Sequence, residues 1–220
     1  MHYLGLALWA EGKSDYSFLS PLLLRLCESL CTGATQPVDI GDVIGLDHAK
    51  TSKTSTRAAR ISEAAKSATG SWNILFVHAD ADGDPVAALH ERALPGIDGA
   101  KAAGLKRAEG VAVIPVRETE AWALADGEAL RSVFGTTLGD TELGLNARGA
   151  GLERLADPKK VLDDCFAAAH GGRRRSQLSV SNSLNALGEQ VTLHRLMELP
   201  SFAGLHRDLG AALQRLNILS

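Results

Sequence analysis

Residues 74–84 read Ile-Leu-Phe-Val-His-Ala-Asp-Ala-Asp-Gly-Asp. A continuous apolar run stops abruptly at three acids on alternate positions. Such a run reads as a strand buried on both faces, as in a parallel sheet with helices on either side. The acids then fall just past the carboxyl end of the strand, the edge where open α/β sheets bind ligands. In extended chain, side chains two apart point the same way. Asp80 and Asp82 are therefore expected to aim at one point, joined by Asp84 if the chain stays extended. Converging carboxylates repel each other, and a hard divalent cation, Mg²⁺ or Mn²⁺, is the simplest way to neutralise them.

The rest of the pattern supports a parallel sheet. Strands are expected at Tyr3–Trp9, Val38–Ile44, Trp72–Ala79 and Val111–Val116. Between them, Phe18, Leu19, Leu22, Leu23, Leu26 and Leu30 recur at helical spacing, and 54–67 also reads as a helix. Asp84-Pro85 opens a third helix, proline suiting the first turn. Residues 96–104 read as irregular or weakly helical, and Glu118–Ala125 as a fourth helix. Alternating strands and helices imply right-handed crossovers. Beyond residue 126 only helices are expected, at 128–134, 151–155, 158–169 and 193–216, the last broken at Pro200. A chain of 220 residues suits one domain with an appendage. The division expected is an α/β core, 1–126, and a helical C-terminal extension, 127–220, packed on it.

Net charge is −3 and the pI near 6.2. A global basic field of the kind that marks many nucleic-acid binders is thus excluded, though a local groove is not. Cys27, Cys31 and Cys165 are odd in number and lack zinc-like spacing, which reads as buried free thiols in a reducing cytosol. No run approaches the roughly 18 apolar residues of a membrane span. A P-loop motif is lacking, so ATP hydrolysis of that kind is not expected.

Acids follow three of the expected strands: Glu11 after the first, Asp80, Asp82 and Asp84 after the third, Glu118 and Glu120 after the fourth. Helix N-capping explains Asp84 and, less fully, Glu118. It explains Asp80 with Asp82 poorly. Two other acidic motifs fit less well. An EF-hand loop would place its turn glycine where Pro85 stands, and a helix rather than a strand before it. Phosphatases of the haloacid-dehalogenase type carry Asp-x-Asp after the first strand, not the third. His78 reads either as a ligand or base, or as a hydrogen-bonded buried histidine.

Glu11-Gly-Lys-Ser-Asp15 after strand one, the strand ending Asp80-x-Asp82, and Pro115-Val-Arg-Glu-Thr-Glu-Ala-Trp-Ala-Leu-Ala-Asp126 together resemble the Toprim fold. More narrowly, the chain is similar to stand-alone bacterial Toprim-like proteins, related to the nucleases of the overcoming-lysogenization-defect (OLD) family. Asp157-Pro-Lys-Lys160 and Leu199-Pro-Ser-Phe202 extend that likeness towards the end of the chain. The resemblance implies a Rossmannoid sheet of about four strands and Mg²⁺- or Mn²⁺-dependent phosphodiester hydrolysis of DNA or RNA. It implies Glu11, Asp80, Asp82, Glu118 and Glu120 as ligands of one or two ions, with Glu11 also serving acid/base chemistry. Lys159 or Lys160 resembles a basic catalytic residue of the nuclease branch. Lys13, Arg117, Arg173 and Arg174 are candidate phosphate contacts, although solvated lysines and a solvated arginine loop explain most of these equally. Tyr3 and Tyr16 fall in a strand and a core helix, so a tyrosine nucleophile is not expected. A role in defence against phage or plasmids, with a separately encoded ATPase, also follows from the resemblance alone. The reading admits a homo-oligomer. It also admits a second class of function, a non-catalytic binding or regulatory module acting through a partner such as an ATPase.

Overall fold

The computed structural model of the protein describes residues 2–46, 55–102, 108–171 and 179–220. It is an α/β structure with one four-stranded, all-parallel sheet and a helical C-terminal region. The elements run β1 His2–Trp9, α1 Lys13–Cys31, β2 Val38–Gly45, α2 Arg57–Ser67, β3 Ile74–His78 and α3 Pro85–Ala87. A π-helical turn, Ala88–Ala93, leads into α4 Leu94–Lys101. Then come β4 Glu109–Val113, α5 Glu120–Ala123, α6 Gly127–Phe134, a 3₁₀ turn Gly149–Arg154 and α7 Pro158–Ala169. The chain closes with α8 Val180–Gln190, α9 Leu193–Leu196 and α10 Pro200–Arg215. The break expected at Pro200 is therefore present, with the proline in the first turn of α10.

Strand order is β2-β1-β3-β4. The chain leaves β1 in one direction and resumes at β3 on the other side. That reversal opens a crevice between the carboxyl ends of β1 and β3, the place where such sheets bind ligands. Alternation along the strands divides the interior in two. Leu4, Leu6 and Leu8 of β1, with Ile74 and Phe76 of β3, meet α1 and the C-terminal helices. Ala7, Trp9, Leu75 and Val77 meet α2 and α4 on the opposite face.

The C-terminal helices share the first of these cores, which runs from Leu4 through Trp122 to Leu213. Helix α8 lies so close to α1 that a Cβ at Gly188 would stand 2.2 Å from the Phe18 carbonyl oxygen. Arg25 ties the same place down, donating to the carbonyls of Gly188 at 2.9 Å and Val191 at 2.8 Å. Sequence reading missed α8. Its Asn182, Ser183, Asn185 and Gly188 are weak helix formers, and it forms because Leu184 and Leu187 are buried against that core. Of the stretch 96–104 that read as irregular or weakly helical, residues up to Lys101 belong to the regular helix α4.

Cys27 and Cys165 are buried free thiols, whereas Cys31 is half-buried. Burial pushes the Cys165 thiol up to about 11. Among the described residues, no helix is long and apolar enough to cross a membrane. The arginine-rich stretch Arg173–Arg175 lies outside the described residues, as do His48, Lys50 and Lys53.

Candidate metal centre

The acid-bearing segments arrive together because the strands are parallel. After β3 the chain stays beside the chain leaving β4. Ala79, Ala81 and Gly83 donate to the carbonyls of Val113, Pro115 and Val116 at 3.0, 3.0 and 2.7 Å. It does not stay extended. Asp82 has φ +50° and Gly83 φ +94°. A left-handed residue that is not glycine is uncommon, and here it ends the period-two alternation. The Asp82 side chain consequently turns outward and is 78% exposed. Asp84 caps α3, accepting the Ala87 N–H at 2.9 Å.

His78, the last residue of β3, is 0% exposed. Its Nε2 lies 3.1 Å from Asp80 Oδ1 and 3.1 Å from Thr119 Oγ1. The Thr119 hydroxyl donates in turn to Asp15 Oδ1 at 3.3 Å, and Gly12 N–H donates to Asp15 Oδ2 at 2.9 Å. His78 Nδ1 is buried without a hydrogen bond and stands 3.7 Å from Asp15 Oδ2. A buried ring nitrogen facing a carboxylate is costly unless a proton or a cation lies between them. Asp15, His78 and Asp80 can each offer a ligand atom within 4.8 Å of the others. This spread and the oxygen-plus-imidazole donor set fit one divalent first-row cation. Burial, reinforced by the charge of Asp80, pushes the Asp15 carboxyl above its usual range, against the pull of His78, Gly12 and Thr119.

The five carboxylates expected as ligands are distributed differently. Among the described residues, no three of Glu11, Asp80, Asp82, Glu118 and Glu120 bring ligand atoms within 4.8 Å of one another. Asp80 is in the close triple. Glu11 is gripped instead by two arginines, Arg57 Nη1 at 2.6 Å and Arg92 Nη2 at 2.5 Å. Glu118 accepts the Lys159 backbone N–H at 3.3 Å. Glu120 is buried beside Asp15, and they line one narrow crevice with Ser14, Phe18, Thr119 and Leu184.

Burial also raises the Glu120 carboxyl above its usual range, as do the charges of Glu118 and Asp15, while Lys159 opposes the shift. A carboxyl whose folded pKa is raised leaves the fold most stable below the unfolded pKa. That contribution falls away as pH rises through the folded value. Glu120→Gln is therefore expected to raise the Tm of metal-free protein at pH 8 by a few degrees, about 2–4 °C per kcal/mol for a chain of this size. Little change is expected at pH 4. Calorimetric melts at both pH values check this, and an unchanged or lower Tm at pH 8 would contradict it.

The basic candidates also separate. Arg117 packs over Gly83 and donates to the Asp82 carbonyl at 3.4 Å. The charge of Lys159 reaches Glu120. Lys160 is paired with Asp164 at 2.6 Å on an exposed helix face, and Lys13 opens α1. Sequence reading assigned no site role to Asp15, Thr119, Arg57 or Arg92. Asp15 carried a usable signal, lying four residues past Glu11 where α1 begins. Arg57 and Arg92 carried none, since each reaches the edge from a helix that only the tertiary fold brings there.

The motif ending at Asp126 is part site and part scaffold. Trp122 and Asp126 anchor the C-terminal helices, Asp126 Oδ2 accepting the Thr192 N–H at 3.0 Å. Beyond them lies a cavity of about 190 Å³, whose lining includes Arg131, Asp140, Arg148, Arg195 and Glu198. Each of its arginines is paired with an acid, Arg131 and Arg148 with Asp140 and Arg195 with Glu198. Compared with known protein families, curated proteins and solved structures, the chain matches none.

Proposed function

We propose that this chain is a divalent-metal-dependent phosphodiesterase acting on DNA or RNA, of the Toprim type that its motifs resemble. The observation that supports this best is the Asp15–His78–Asp80 triple, with its unpaired buried nitrogen, in the crevice between the ends of β1 and β3. When bound, the cation supplies a Lewis acid for a phosphoryl oxygen and an acidified water, which suits attack without a protein nucleophile. Asp15, His78 and Asp80 would hold it, and Thr119 fixes the imidazole and Asp15 relative to each other. Arg117 and Lys159 flank the acids and offset the charge of an incoming phosphate. Glu120 lies buried in the same crevice as Asp15, where burial raises its carboxyl above the usual range. A link to phage or plasmid defence and to an ATPase partner stays with the motif resemblance.

A second reading, a metal-binding module without turnover, is favoured by one observation. One oxygen of the Glu11 carboxylate, Oε1, already accepts from two guanidiniums. Purified protein incubated with single- and double-stranded DNA and RNA, in Mn²⁺, Mg²⁺ or EDTA, separates the two. Cleavage of at least one substrate with metal and none with EDTA is expected. Metal binding without cleavage of any of the four would favour the module instead. Cleavage that survives EDTA would sink the metal-dependent reading.

A further inference from the structure

The guanidinium of Arg92 sits where sequence reading expected a cation. Nη1 donates to the Asp80 carbonyl at 2.6 Å and to Asp82 Oδ2 at 3.3 Å, and Nη2 donates to Glu11 Oε1. One flat cation thus touches three of the residues that the acidic motifs nominated. It is held there firmly. Its own carbonyl accepts Arg57 Nε at 2.9 Å, and Arg57 also donates to Glu11 Oε1 and to the His78 carbonyl at 2.7 Å. Arg57 is fixed in turn by stacking 4.4 Å over the Trp9 ring. Arg92 belongs to the π-helical turn Ala88–Ala93. Such turns are rare and are found frequently at functional sites.

The charges divide accordingly. On one side, the two carboxylates of Glu11 and Asp82 meet the two guanidiniums of Arg57 and Arg92. The charges of these four groups balance without a metal. On the other side Asp15, Asp80, Glu118 and Glu120 are accompanied by His78 and Lys159. The uncompensated negative charge lies there, around the buried imidazole. An arginine stays protonated under all ordinary conditions, so its charge does not depend on the supply of free metal.

Building on the metal-dependent reading above, we propose that Arg92 is a built-in cation that permanently occupies the place a second metal ion would take on this acidic edge. The chain then binds one divalent ion, at Asp15, His78 and Asp80. Glu11 is a partner of the built-in cation rather than a metal ligand. The nitrogen donor favours Mn²⁺ over Mg²⁺ at that single place.

Titration of the full chain with Mn²⁺, followed by calorimetry and by the electron paramagnetic resonance of free Mn²⁺, tests this. The wild type and Arg92→Lys are expected to bind one ion. Arg92→Ala frees Asp82 and leaves Glu11 with Arg57 alone, and it is expected to bind a second, weaker ion, which Arg92→Ala combined with Glu11→Gln loses again. Glu11→Gln alone is expected to keep the wild-type ion with affinity changed less than about tenfold, below the roughly 10–100-fold typical when a group supporting a metal ligand is lost. Two ions in the wild type, or loss of its ion in Glu11→Gln, would overturn the role of Arg92 and leave the metal-dependent reading standing. A folded Arg92→Ala protein that binds a single ion would overturn it too. If neither wild type nor Arg92→Ala binds Mn²⁺, the metal-dependent reading itself falls. If Arg92→Ala does not fold, the wild-type stoichiometry and Glu11→Gln still decide the question.

Discussion

Asp80→Ala is expected to lower metal-dependent cleavage by about 10³-fold or more, whereas Asp82→Ala costs less than about tenfold. A bound cation contributes several kcal/mol of charge stabilisation to a phosphoryl transition state, and about 4 kcal/mol corresponds to roughly 10³ in rate. Asp80 stands to lose that contribution because its carboxylate lies against the buried His78, within the close ligand triple. Asp82 stands to lose little because its side chain is turned to solvent and its hydrogen-bonded partner is Arg92. Asp80→Asn refines the comparison, since an amide oxygen preserves packing and one acceptor while removing the charge. Single-turnover rates across an Mn²⁺ series measure the effect, with thermal melts to show that both variants fold. Equal losses at the two positions would mean that the loop rearranges to bring both acids onto the metal, and the assignment of the site to Asp15, His78 and Asp80 would fail.

That asymmetry also shows what sequence can and cannot convey here. The apolar run Ile74–Val77 was legible as a doubly buried strand because it is short, rich in branched and aromatic residues, and set in an alternation of strands and helices that gives a parallel sheet covered on both faces. The four strands and most of the helices between them followed from periodicity, with strand boundaries off by at most three residues. The carboxyl-edge placement of the acids followed from topology. What failed was the orientation of Asp82. Alternation holds only while the chain is extended, and the left-handed turn at Asp82 and Gly83 could not be read from Asp-Gly alone. Charge partnering was illegible for a different reason. Glu11 meets Arg57 and Arg92 across 46 and 81 residues of chain, a separation over which no spacing rule operates. His78 was visible as a histidine beside acids, but its lack of exposure and its unpaired nitrogen depend on α1 and on Thr119 packing around it.

Trp122→Ala is expected to destabilise the whole chain by about 3–5 kcal/mol, the usual range for deleting a fully buried aromatic. Trp122 is 0% exposed. Its ring meets Phe202 edge to face at 5.2 Å, and its Nε1 donates to Ser201 Oγ at 2.9 Å. The Ser201 backbone N–H is itself held by Glu153 at 2.9 Å. Trp122 therefore joins α5, which carries Glu120 at the acidic edge, to α10. At about 2–4 °C per kcal/mol for a chain of this size, the Tm should fall by roughly 6–20 °C. Trp122→Phe keeps an aromatic ring and leaves Ser201 without its donor, so it should cost clearly less, on the order of 1–3 kcal/mol. The form of the transition matters more than its midpoint. Because Leu4, Trp122, Phe202 and Leu213 belong to one apolar core, the sheet and the C-terminal helices should melt together, as a single cooperative step shifted to lower temperature. Near-ultraviolet circular dichroism and calorimetry should report the same midpoint. Two separated steps, with the sheet unmoved, would mean that residues 127–220 fold independently, and that the acidic edge does not rely on the helices beneath it.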